Sequence, residues 1–136
     1  MTTKKTGSRA GEIVLARVLV NQQAGTPNYP HAISLLQHAA QDPESDSAVD
    51  AQMLLGLIYA SGVHGPEDDV KASEYFKGSS SLSRTGYAEY WAGMMFQQGE
   101  KGFIEPNKQK ALHWLNVSCL EGFDTGCEEF DRISKG

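Results

Sequence analysis

The stretch SCLEGFDTGC, Ser118 to Cys127, carries both cysteines of the chain, eight residues apart. Two thiols at that distance could belong to a metal site, a redox pair, a nucleophile with a spare, or a structural crosslink. Zinc takes four ligands, with Cys or His closely paired along the chain. The two cysteines are too far apart for such a pair, and among His31, His38, His64 and His113 no two are spaced by three or four. The expectation is therefore no metal and no cofactor. A nucleophilic Cys or Ser needs an adjacent base and a third group to orient it. His113 precedes Cys119 by six residues, which puts the two on different faces of a helix. No Gly-x-Ser-x-Gly occurs, SLSR carries no Ser-x-x-Lys, and the serine run at 79–83 reads as a loop. Phosphate-cradling loops of the Gly-x-Gly-x-x-Gly kind are absent too, and GPEDD lacks the 12-residue ligand ladder of a calcium loop. No catalytic residue is assigned, and the chain is expected not to be an enzyme.

Composition narrows the class further. Hydrophobic residues make up 40% of the 136 and charged ones 21%, a globular balance with enough chain for one core. The formal net charge of −5 argues against nucleic acid, whose phosphates call for clustered Lys and Arg. The basic cluster that exists, Lys4, Lys5 and Arg9, falls in a small-residue segment expected to be a flexible tail over 1–8. No apolar run is long enough for a membrane span, and IVLARVLV, residues 13–20, is interrupted by Arg17.

Three stretches of the chain align with one another. Each opens on a small residue, Ala16, Gly56 or Gly93, with a large apolar one three later: Leu19, Tyr59 or Phe96. After a Gly- or Pro-containing link comes a second small anchor, Ala32, Ala72 or Ala111. Large residues follow it by three and four: Leu35 and Leu36, Tyr75 and Phe76, Trp114 and Leu115. Small ones follow by seven and eight: Ala39 and Ala40, Ser79 and Ser80, Ser118 and Cys119. Offsets of three, four, seven and eight share one helix face. The period is 40 from Ala16 to Gly56 and 37 from Gly56 to Gly93, with two helices per unit, the pattern of an α-solenoid. Helices are expected near 9–23, 30–41, 48–61, 68–79, 84–98, 107–120 and 125–134.

These residues resemble the SEL-one-like repeat family, a relative of the tetratricopeptide repeat. Ala51, Gly56, Tyr59, Gly62, Asp69, Lys71, Ala72, Tyr75 and Phe76 carry the resemblance in the second unit, and Ala88, Gly93, Phe96, Gly99, Lys110, Ala111 and Trp114 in the third. The first unit is degenerate. The third has a link two residues longer, and an insertion at DPESDS precedes the second. The resemblance implies an all-α, right-handed α-solenoid of about three antiparallel helix pairs plus a C-terminal capping helix. The expected units are 10–47, 48–83, 84–122 and a half-repeat at 123–136, within a single domain over 9–136.

The family plan also locates the cysteines. Cys119 takes the second small position of a second helix, and Cys127 the place of Ala51 and Ala88 at the start of the next first helix. Small residues meet there because the helices cross closely, as a disulfide requires. The pair resembles the cysteine-rich subset of these proteins, which bridge consecutive helices at this spacing. A Cys119–Cys127 staple is expected, with two buried reduced thiols as the alternative. A staple implies an oxidising compartment, periplasmic or extracellular, and a leader removed from the numbered chain; a cytoplasmic location is the alternative.

What remains is binding. The family's first helices line a concave surface, and positions off their packing face are candidate protein contacts: Arg17, Gln52, Leu57, Glu89, Tyr90, Met94 and Gln97. Leu57 and Met94 have core packing as the alternative, and of Tyr90 and Trp91 at least one should face outward. The acidic link PEDD with Glu74 is a second candidate surface. The resemblance implies a protein partner, with no nucleic acid and no membrane span. One specific form is an immunity or adaptor protein for a secreted bacterial effector. The alternatives are a hydrolase of the cysteine-rich type or a fragment of an envelope or secretion scaffold.

Overall fold

Asn28 accepts a hydrogen bond from the His31 amide at 3.2 Å, Asp68 from Lys71 at 3.0 Å, and Asn107 from Lys110 at 3.0 Å. Each satisfies one of the orphan donors of a helix start. These caps open α2 (Tyr29–Ala39), α4 (Asp69–Ser80) and α6 (Lys108–Leu120), the second helices of three pairs. The first helices are α1 (Thr2–Val20), α3 (Asp46–Ser61) and α5 (Tyr87–Gln98), and α7 (Asp124–Lys135) closes the chain. This computed structural model describes residues 2–41, 46–80 and 84–136. Most of the DPESDS insertion and of the serine run at 79–83 lies outside them.

The first helix differs from expectation at both ends. The helix expected from about residue 9 begins at Thr2, because nothing in TTKKTGS is a proline stop. It also ends earlier, at Val20. There the Asn21 side chain accepts the Gln23 amide at 2.8 Å and turns the chain into a short 3-10 segment, Gln22–Ala24. The first helices α3 and α5 stop at Gly62 and Gly99, with φ of 76° and 74°, a conformation that glycine adopts without strain.

Within the second and third pairs, a bulky residue of the second helix lies against a glycine of the first. A Cβ on Gly56 of α3 would collide with the Phe76 ring of α4. A Cβ on Gly93 of α5 would come within 2.7 Å of Leu115 Cγ on α6. Phe76 and Leu115 are fully buried as a result. Between pairs, Phe76 meets Trp114 edge-on with ring centroids 5.1 Å apart, so the second helices share one continuous core.

A lysine ties the second pair to the third. Lys110 of α6 donates to the carbonyls of Ala60 and Ser61 at 3.3 and 3.0 Å, where α3 ends, and pairs with Glu67 at 3.0 Å. The cation sits at the negative end of the α3 dipole. It also lies over Phe96, 5.7 Å from the centroid, as Lys71 lies over Tyr59 at 5.2 Å in the preceding unit.

The longer link of the third unit reaches back to α1. Glu100 and Ile104 exchange both backbone hydrogen bonds at 2.8 Å, which buries Phe103 and Ile104. The Gly102 carbonyl accepts the Gln22 amide at 2.8 Å, the Lys101 carbonyl accepts Asn21 Nδ2 at 3.2 Å, and Glu100 meets Arg17 at 3.5 Å. The first and third units therefore touch directly.

Replacing Gly93 by Ala should cost about 1–3 kcal/mol in urea unfolding, since the new methyl must displace Leu115. Gly11→Ala, on α1 with nothing within 4 Å of its Cβ, should be neutral or stabilising by up to about 1 kcal/mol through helix propensity. Equal effects at the two sites would contradict the packing.

Candidate protein-binding surface

The three first helices enclose a cavity of about 290 Å³. Ile13 and Arg17 come from α1, Asp50 and Leu54 from α3, and Tyr87 and Trp91 from α5, with Val49 and Met53 beside the α3 pair. Asp50 and Leu54 occupy the same repeat positions as Tyr87 and Trp91, 37 residues on. Each pair is spaced by four, so the lining follows one row along each helix. Its character is apolar and aromatic at the floor, with Arg17 and Asp50 as charges. Arg17, with its side chain 48% exposed, stands on the rim and also lines a wider cleft of about 620 Å³ beside Val14, Val18, Asn21, Gln23 and Glu100. Val14, Leu15 and Val18 form an exposed apolar strip on that side of α1.

Of the seven candidate contact residues, only Arg17 lines the cavity between the first helices. Leu57 is 0% exposed and belongs to the core. Glu89, also 0% exposed, points into the packing rather than to a partner. Gln52 lies in the seam between α3 and α4, packed so close to Gly78 that a Cβ there would collide with its amide. Tyr90 is half-buried and faces the turn before α7, its ring 5.4 Å from that of Phe123. Met94 is half-buried and Gln97 exposed. Six of the seven positions lie off the row that lines this cavity, and which row faces inward depends on helix rotation, about 100° per residue. Trp91, flagged for its ambiguity, was the usable signal, and it is only half-buried.

The acidic link is structurally engaged. Asp68 caps α4, and Glu67 is held below the usual carboxylate range, first by its hydrogen bond to Lys110. Asp69 is raised, first by burial and then by Glu67, with His113 3.8 Å away. Among the described residues no cluster of three or more His, Cys, Asp or Glu is placed to hold a metal, and no helix is long and apolar enough to cross a membrane.

Cys119 and Cys127 are joined in a disulfide, with Cα atoms 4.6 Å apart. The small positions that flank it explain the approach. Ser118 donates to the Gly86 carbonyl at 2.7 Å, and a Cβ on Gly126 would clash with the Ser118 side chain. The bridge pins α7 onto α6.

Comparison with known proteins places the repeats. The Sel1 repeat profile matches residues 49–82 and 86–123, together more than half of the chain. The chain is a Sel1-repeat protein. The degenerate first unit lies outside the match. The Sel1-repeat-containing protein YjcO of Escherichia coli K12 is 70% identical over 130 residues, covering 96% of this chain and 57% of that protein; YjcO of Shigella flexneri matches to the same extent. The chain thus spans little more than half the length of these relatives. A crystal structure of a Sel1-repeat protein from Klebsiella pneumoniae is 90% identical, with a TM-score of 0.92 over 94% of this chain and 62% of that one. The protective antigen c5321 of uropathogenic E. coli shares the fold, with a TM-score of 0.55 at 22% identity. Sel1 repeats are generally protein-interaction modules.

Loss of the disulfide in a Cys119→Ser/Cys127→Ser variant should lower stability by about 2–3 kcal/mol, the loop-closure value for so short a ring. Intact mass with and without reductant should differ by two hydrogens in the native chain. No mass difference would mean that the thiols are free.

Proposed function

We propose that this Sel1-repeat protein is a recognition module that holds a segment of another protein against the inner face of α1, α3 and α5. The observation that carries this reading is the repeated row of large side chains, Leu54 with Trp91 and Asp50 with Tyr87, lining one cavity beside Arg17. Half-buried aromatics with a nearby Arg are the residues that dominate protein interfaces. The chemistry favours a partner with an apolar anchor for the Trp91 side and an acidic group for Arg17. A non-enzymatic role fits the absence of a nucleophile–base pair in the sequence motifs.

The disulfide favours a partner met in an oxidising compartment, the periplasm or the exterior. A secreted effector held as by an immunity protein, or a component of the envelope, is the form of the reading that this supports.

A photoreactive amino acid placed at Arg17 should give a discrete crosslinked adduct in cells that express the protein at its native level. The same label at Asn116, exposed on α6, should not. Trp91→Ala should remove the Arg17 adduct while leaving the circular-dichroism melting curve within a few degrees. Adducts of equal yield from both positions, or none from Arg17, would count against an inner-face site.

A further inference from the structure

Two acidic side chains face each other inside the seam where α5 meets the end of α6. Glu89 follows Ala88 on α5, the place that Gln52 takes after Ala51 on α3. In the earlier unit a neutral amide fills the seam. In the later one a carboxyl does, wholly buried, and neither of its oxygens has a hydrogen-bond partner among the described residues. Glu121, the cap residue just after α6, turns a buried and equally unpartnered Oε1 into the same region. The cation within electrostatic reach of Glu89 is Lys77 on α4. Arg84, ahead of α5, lies over the Phe123 ring at 4.9 Å, and Arg132 on α7 is engaged by Glu129 at 2.8 Å. Gln52, from the neighbouring α3, is neutral.

A buried carboxylate and a second one that meets it through a buried oxygen, both without donors there, repel each other and are poorly solvated. One proton held between them removes both problems, and a protonated Glu has the shape and the hydrogen-bonding capacity of the Gln in the preceding unit. We propose that Glu89 and Glu121 form a proton-operated joint, closed when the pair shares a proton and loosened at the α6–α7 turn when the proton is lost. The turn, held at its ends by the Cys119–Cys127 disulfide, is the segment that links the pair to α7. Glu121 leads through Gly122 to Phe123, whose ring stands 5.9 Å from Tyr87 and 5.4 Å from Tyr90. Movement of Glu121 away from Glu89 carries Phe123 with it. Tyr87 also lines the inner cavity, so the joint adjoins the surface offered for binding, although the device itself does not depend on that reading.

The electrostatics agree in direction. Burial first, and the Glu121 charge after it, push Glu89 up to about 7 from an ordinary value of 4.5. The folded state then binds the proton more tightly than the unfolded chain. Its stabilising effect is complete below about pH 4.5 and is lost as the pH rises through about 7.

Urea unfolding of the intact, disulfide-bonded chain at pH 5, 6, 7 and 8 tests this, with Glu89→Gln and Glu121→Gln alongside. The folded-to-unfolded ratio of the native chain should fall at least about tenfold more between pH 5 and 8 than that of Glu89→Gln, the equivalent of one unit of pKa shift. Amide exchange at Asp124 to Cys127, corrected for intrinsic rates, should speed up over the same range in the native chain and not in Glu89→Gln. Glu89→Gln mirrors Gln52 and should fold, and at pH 8 it should be the more stable protein. A pH dependence that survives unchanged in Glu89→Gln and in Glu121→Gln would overturn the proposal.

Discussion

The close approach of the two helices in the second and third pairs is the constraint on which the rest of this structure depends. Phe76 lies on Gly56 and Leu115 on Gly93, with no room for a methyl group beneath either. This brings the helix axes close and aims Phe76 at Trp114 of the next pair. A helix pair of this size cannot bury its own apolar face, so stacking the pairs is what makes a core. The same rule operates at the C-terminal end, where Gly126 lies under Ser118 and the two cysteines come within crosslinking distance. The disulfide is a consequence of that packing as much as a reinforcement of it.

The second organising contact is the return of the third unit's link onto the first helix. Phe103 and Ile104 enter the core, while Gly102 and Lys101 take hydrogen bonds from the end of α1. Stacked repeats usually touch only their nearest neighbours. Here a direct contact between the first and third units is added, beside the cavity that α1, α3 and α5 line. It also sets Arg17 on the rim through Glu100. The lysine at the end of α3 works in the same direction, because Lys110 joins a first helix to the second helix of the following unit.

The architecture was legible because it is written in residue size at helical spacing. Ala72, Tyr75, Phe76 and Ser79 fall on one face in the sequence and on one buried face in the structure, apart from the half-exposed Tyr75 that stacks on Tyr59 at 5.8 Å. The cysteine positions followed from the same register. The candidate surface was much less legible. Which of Leu54 and Leu57, or of Glu89 and Trp91, faces the cavity depends on helix rotation, and that is set by tertiary contacts the repeat pattern does not encode. Glu89 misled because a charge reads as surface in a sequence, whereas this one is buried in the place of a half-buried glutamine. Phe103 and Ile104 were missed because they sit in a link, where no period marks them as core.

A double-mutant cycle at Gly56 and Phe76 tests the size complementarity most directly. Gly56→Ala forces a methyl into the ring, and Phe76→Leu makes space for it. If ring and glycine set the helix distance, the double variant is less destabilised than the sum of the singles by about 0.5–3 kcal/mol in urea unfolding, the range for residues in contact. Strict additivity would mean that the two residues do not set the distance between these helices.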